Sequence, residues 1–71
     1  MTKRKLGILG GGQLGMFICQ AAKKMGIHTI VFSRNENFSA KEFCDHFIIG
    51  EYEDKKKLNQ FIKSANHFTI E

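Results

Sequence analysis

The chain has 71 residues, with eleven basic and seven acidic side chains giving a net charge of +4, and it is 42% hydrophobic and 25% charged. That leaves room for one small globular domain, excludes disorder, and offers no apolar run near the ~20 residues that a membrane-spanning helix needs. Two cysteines, Cys19 and Cys44, make neither a disulfide framework nor a zinc site, so a reducing, cytoplasmic setting is expected.

In chain order, Leu6-Gly7-Ile8-Leu9 is a short apolar run ending in glycines and reads as a buried strand. Leu14, Ile18, Ala21, Ala22 and Met25 then recur at the spacing of one helix face. Lys23 and Lys24 fall in the last turn, where the helix dipole favours cations, and Gly26 supplies the stop. His28 to Phe32 is β-branched and aromatic, a second strand, followed by a polar, turn-like stretch from Ser33 to Ser39. Ala40 to Asp45 is expected to make a helical turn, and His46-Phe47-Ile48-Ile49 a third strand closed by Gly50. Asp54 is placed to cap a second helix whose apolar face is Leu58, Phe61, Ile62 and Ala65. His67-Phe68-Thr69-Ile70 reads as a fourth strand, and the seven phenylalanines as mostly core.

Strands alternating with helices imply parallel neighbours joined by right-handed crossovers, buried on both faces. The expected fold class is therefore α/β: a small doubly wound parallel sheet of about four strands, Rossmann-like, in β-α-β-β-α-β order.

The chemistry lies in Gly10-Gly11-Gly12-Gln13-Leu14-Gly15, a GxGxxG between the first strand and the first helix. Gly10 allows the tight turn, Gly12 lets the backbone approach a ligand, and Gly15 lets the helix pack closely. The amides that open the helix, with its positive dipole end, form an anion site. A dinucleotide site would place an acidic residue after the second strand, but Ser33 and Arg34 stand there. Arg34 suits a 2′-phosphate, so an NADP-binding module is the alternative reading, and a surface cation in a polar loop is the plain one. The basic residues are scattered, which argues against nucleic acid as a partner.

The run Gly7 to Gly15 resembles the start of the ATPase subunit of phosphoribosylaminoimidazole carboxylase. That family, also called 5-(carboxyamino)imidazole ribonucleotide synthase, belongs to the ATP-grasp ligases. Ala22-Lys23-Lys24-Met25-Gly26, Gly50-Glu51-Tyr52-Glu53-Asp54 and Thr69-Ile70-Glu71 extend the resemblance from Lys5 to Glu71. It departs at Met16, where the family has a basic residue, at Ser33, where many members have aspartate, and at Ile70, where the family has an aromatic residue.

The resemblance implies a ligase of de novo purine biosynthesis, using ATP and Mg2+ to carboxylate 5-aminoimidazole ribonucleotide with bicarbonate. It implies that residues 1–71 are a single, truncated N-terminal pre-ATP-grasp domain, with the family's ATP-grasp and C-terminal domains absent. It places Gly11, Gly12, Gln13, Leu14 and Glu71 in the ribonucleotide pocket, with no catalytic or metal-binding residue in this stretch. The full-length family is expected to be a cytoplasmic homodimer without membrane or nucleic-acid partners. The 71-residue chain is expected to be inactive alone, marginally stable or self-associating; a folded remnant without activity is the third reading.

His28, His46 and His67 each begin a predicted strand without metal-ligand spacing, and strand-edge polar roles are expected of them. Cys19 reads as a buried structural thiol. Cys44-Asp45-His46 makes a poor nucleophile cluster, because neighbours on a strand point to opposite faces.

Overall fold

In the computed structural model, which describes residues 4–70, four strands form one sheet. They are β1 (Lys5–Leu9), β2 (His28–Ser33), β3 (His46–Ile49) and β4 (His67–Ile70), all parallel, in the order β3-β2-β1-β4. Helix α1 (Gln13–Lys24) joins β1 to β2, and α2 (Lys55–Ser64) joins β3 to β4. The expected α/β class and the strand assignments hold. The segment expected to be helical over Ala40–Asp45 is a single 3₁₀ turn, Ser39–Glu42.

The sheet separates two cores. On one face Ile8 and Val31 meet Cys19 of α1 and Ala40 of the 3₁₀ turn. On the other, Ile30 and Phe32 meet Phe61 of α2, with Leu9, Ile48 and Leu58 around them. The pleat explains this division, since successive residues of one strand point to opposite faces. Strands loaded on both faces read as unbroken apolar runs.

Local sequence fixes the helix ends. Gly26 takes φ 73°, its amide bonds to the Lys23 carbonyl at 3.1 Å, and the Ile27 amide reaches the Ala22 carbonyl at 2.9 Å. That crossed pair is a Schellman stop, available because glycine has no Cβ to clash. Asp54 caps α2 as expected, its carboxylate accepting from the Lys57 amide at 3.2 Å.

The inward faces of the helices differ from expectation. Leu14 and Met25 are 55% and 69% exposed, and Ala21 is exposed too. The buried residues of α1 are Gly15, Cys19 and Ala22. Small side chains let the helix lie close on the sheet, and that close approach leaves no room for the large ones. On α2, Phe61 is buried but Ile62 is 51% exposed. Nor are the phenylalanines mostly core: only Phe32 and Phe61 are buried, while Phe17, Phe47 and Phe68 are exposed. This much exposed apolar surface favours self-association. Thermal melts are therefore expected to rise with protein concentration, and a sharp melt of a monomer at constant temperature across a hundredfold dilution would contradict this.

A polar clasp ties β2 to the start of β3. The carboxylate of Asp45 accepts from the Thr29 amide at 2.8 Å and from the Thr29 hydroxyl at 3.3 Å, and the Asp45 amide returns a bond to that hydroxyl at 3.2 Å. Burial pushes the Asp45 carboxyl up, but the Thr29 amide, the charge of His28, the Thr29 hydroxyl and Lys23 outweigh it and hold the carboxyl below its ordinary value. A depressed folded-state pKa gives stability that is present above the unfolded carboxylate value and lost as pH falls through the folded one. Asp45→Asn should flatten that acid limb when unfolding is followed by circular dichroism between pH 6 and 2. An unchanged limb would show that Asp45 plays no part in it.

Candidate functional site

The first strand ends in the only φ-positive residue of the glycine turn, Gly10 at φ 110°, whose amide holds the Phe32 carbonyl at 2.9 Å. This bond docks the end of β1 on β2 while the chain swings into α1. Gly12 is the N-cap of α1 and has no side chain with which to cap it, and no acidic residue sits in the first turn. The dipole makes this end of the helix positive, which favours negative charge beside it.

A cleft of about 370 Å³ opens beside this corner. Its floor is Gly10, Gly11 and Gly12, and its far wall is the loop after β2, including Asn35, Asn37 and Phe38. Arg34 and Tyr52 close a third side. The cleft sits at the carboxyl ends of the strands, where open α/β sheets take ligands.

Gly11 has a packing role as well. It is buried, its carbonyl accepts from the Ala40 amide at 3.1 Å, and a Cβ built on it would lie 2.5 Å from Cδ2 of Phe38. The missing side chain lets the aromatic wall stand directly against the floor.

Ser33, where a dinucleotide site would want a carboxylate, is buried and turned on its own loop. Its hydroxyl donates to the Asn35 carbonyl at 2.9 Å and accepts from the Asn35 amide at 3.2 Å. Arg34 reaches back to Glu51 at 3.2 Å, with its guanidinium carbon 5.8 Å from the centre of the Tyr52 ring. Both partners of that ion pair are more than half exposed, so it is worth about 1 kcal/mol or less, and an anion in the cleft competes with it readily.

Of the residues singled out in the sequence, Gly11 and Gly12 line the cleft. Gln13 and Leu14 are exposed on the first turn of α1 and do not line it, while Glu71 lies outside the described residues. Sequence reasoning passed over the wall residues Asn35, Asn37 and Phe38. The signal for them was the polar cluster directly after the second strand, since loops at strand carboxyl ends face the ligand.

The cysteines are not part of the site. Burial pushes the Cys19 thiol up, and burial together with the neighbouring Cys19 pushes Cys44 up to about 11, so neither is a nucleophile at neutral pH. Among the described residues no three His, Cys, Asp or Glu side chains gather where they could hold a metal ion. No metal-dependent step is assigned to them. No helix among the described residues is long and apolar enough to cross a membrane.

A glycine corner at the carboxyl end of a parallel sheet, with an arginine across a polar cleft, defines a parallel α/β domain with an open cleft at its glycine turn. The chain belongs to the ribonucleotide synthetase preATP-grasp domain family, whose model matches residues 2–71. It is 39% identical over 66 residues to N5-carboxyaminoimidazole ribonucleotide synthase from Staphylococcus epidermidis, covering 93% of this chain and 18% of that protein. It is 38% identical over 66 residues to the chloroplastic phosphoribosylaminoimidazole carboxylase of Vigna aconitifolia, covering 93% of this chain and 12% of that one. Among solved structures it superimposes on N5-carboxyaminoimidazole synthetase from Staphylococcus aureus complexed with ADP. That match has a TM-score of 0.91 at 36% identity, over 99% of this chain and 19% of the other. The chain thus spans less than a fifth of the length of the curated relatives named here.

Proposed function

We propose that this domain is the ribonucleotide-binding unit of an ATP-dependent carbon–nitrogen ligase of purine biosynthesis, which carboxylates 5-aminoimidazole ribonucleotide with bicarbonate. The observation that carries the reading is the open cleft over Gly10–Gly12 with Arg34 on its rim. In this reading the amides of Gly11 and Gly12 bind the phosphate at the positive end of α1, and Arg34 leaves Glu51 to neutralise it. Phe38 and Tyr52 offer faces for the imidazole ring. A ligand that extends out of the cleft along the first turn of α1 meets Gln13 and Leu14, and Glu71 accepts from the amino group of the imidazole and aims it. Residues 1–71 are one N-terminal domain of this ligase, whose full-length form is a cytoplasmic homodimer that holds ATP and Mg2+ in its other domains; this chain alone supplies binding without turnover.

Titrating the chain with 5-aminoimidazole ribonucleotide is expected to shift the amide NMR signals of Gly10–Gly12 in a saturable way, with no bicarbonate-dependent release of ADP from ATP. A second reading, an NADP-binding module, rests on Arg34 facing the cleft. NADPH binding that weakens in Arg34→Ala, without any response to the ribonucleotide, would replace the first reading by the second.

A further inference from the structure

At the opposite end of the sheet lies a second cavity, of about 450 Å³, lined by Lys5, His28, Ile30, His46, Ile48 and Ser64. Its origin is the path of α2, which leaves the carboxyl end of β3 and must finish at the amino end of β4, two strands beyond β2. A helix crossing on that diagonal covers the middle of the sheet and leaves bare the corner where β2 and β3 begin.

The side chains at that corner form a register ladder. Lys5 pairs with His28 across β1 and β2, and Ile30 pairs with His46 across β2 and β3, so alternate residues bring all four to one face. The imidazoles of His28 and His46 lie 5.6 Å apart at an interplanar angle of 39°. Ile30, only 3% exposed, and Ile48 make an apolar floor beneath them. None of the described lining residues is acidic, and the nearby carboxylate of Asp45, which also feels the charge of His28, is hydrogen-bonded by Thr29. An ammonium group and two imidazole N–H donors above an aliphatic floor complement an anion that carries a flat apolar body.

We propose that this cavity is a binding site for a small aromatic carboxylate. The ring rests on Ile30 and Ile48, and the carboxylate accepts from His28 and His46 with Lys5 beside it. Benzoate is a suitable probe, and benzyl alcohol, of similar size but uncharged, is its control. Titrating the 71-residue chain with benzoate should shift the His28 and His46 ring signals and the Ile30 and Ile48 methyl signals saturably in 1H–13C NMR. Lys5→Gln and His46→Gln, both at exposed positions, should each weaken benzoate binding about two- to fivefold, the range for one exposed charged contact. Lys5→Gln alone suffices should His46→Gln fail to fold. Benzyl alcohol binding as tightly as benzoate, shifts confined to Gly10–Gly12, or affinity unchanged in folded Lys5→Gln would each overturn the proposal.

Discussion

Phe61→Ala is expected to cost the domain ~3–5 kcal/mol and to lower its melting temperature by roughly 12–40 °C, the largest stability loss of any single change considered. Phe61 is 3% exposed and is the anchor that α2 sets on the sheet. Its ring meets Phe32 edge-on at 5.5 Å and Phe68 at 5.5 Å, so one truncation removes two aromatic contacts along with the buried area. Gly7 makes room for this arrangement, since a Cβ there would lie 3.0 Å from Cζ of Phe61 and 2.6 Å from Cδ1 of Phe68. A domain of this length has about 4–11 kcal/mol of stability in total. The truncated variant should therefore populate unfolded chain at 37 °C, read by urea denaturation, while Phe61→Leu should recover most of the loss. A shift below about 1 kcal/mol for Phe61→Ala would mean that α2 is held by something else.

Gly11→Ala is expected to cost ~1–3 kcal/mol and, unlike Phe61→Ala, to strike the cleft directly. The new methyl would lie 2.5 Å from Cδ2, 2.9 Å from Cγ and 3.1 Å from Cβ of Phe38. Rotating the ring cannot relieve the contact at Cβ, which moves only with the backbone. That backbone is held by the bond from the Ala40 amide to the Gly11 carbonyl, and the ring is held by an edge-on contact with Phe47 at 5.4 Å. The wall must shift away from the floor, so ribonucleotide binding should fall about tenfold or more, a 1.4 kcal/mol effect. Adding Phe38→Leu to Gly11→Ala should restore part of the stability, the coupling expected of residues in contact. Equal stability of Gly11→Ala and wild type would refute the packing role assigned to this glycine.

The contrast between those two glycines and Gly10 marks the limit of motif reading. The spacing of Gly10, Gly12 and Gly15 says where the turn and the close helix approach must be, and the structure agrees for the turn, at Gly10 with φ 110°. Nothing in the spacing says that Gly11 faces a phenylalanine 27 positions later, because that contact exists only once the loop after β2 folds back over the corner. Arg34 is a similar case. Its place after the second strand was readable, whereas its partner Glu51, 17 positions on, comes from the next crossover.

By itself the sequence determined the parallel α/β class, the four strands, the Asp54 cap, the Gly26 stop and the glycine corner, because each depends on residues within a few positions of one another. Only the tertiary structure decided which face of each helix turns inward. On α1 the small residues Gly15, Cys19 and Ala22 won over the larger Leu14 and Met25. Apolar periodicity reports that a helix has a greasy side, but how closely it lies on a sheet is set by the size of the side chains between them. The same holds for the cleft, whose floor is local and whose walls are brought from two separate connections, after β2 and after β3, by the winding of the sheet.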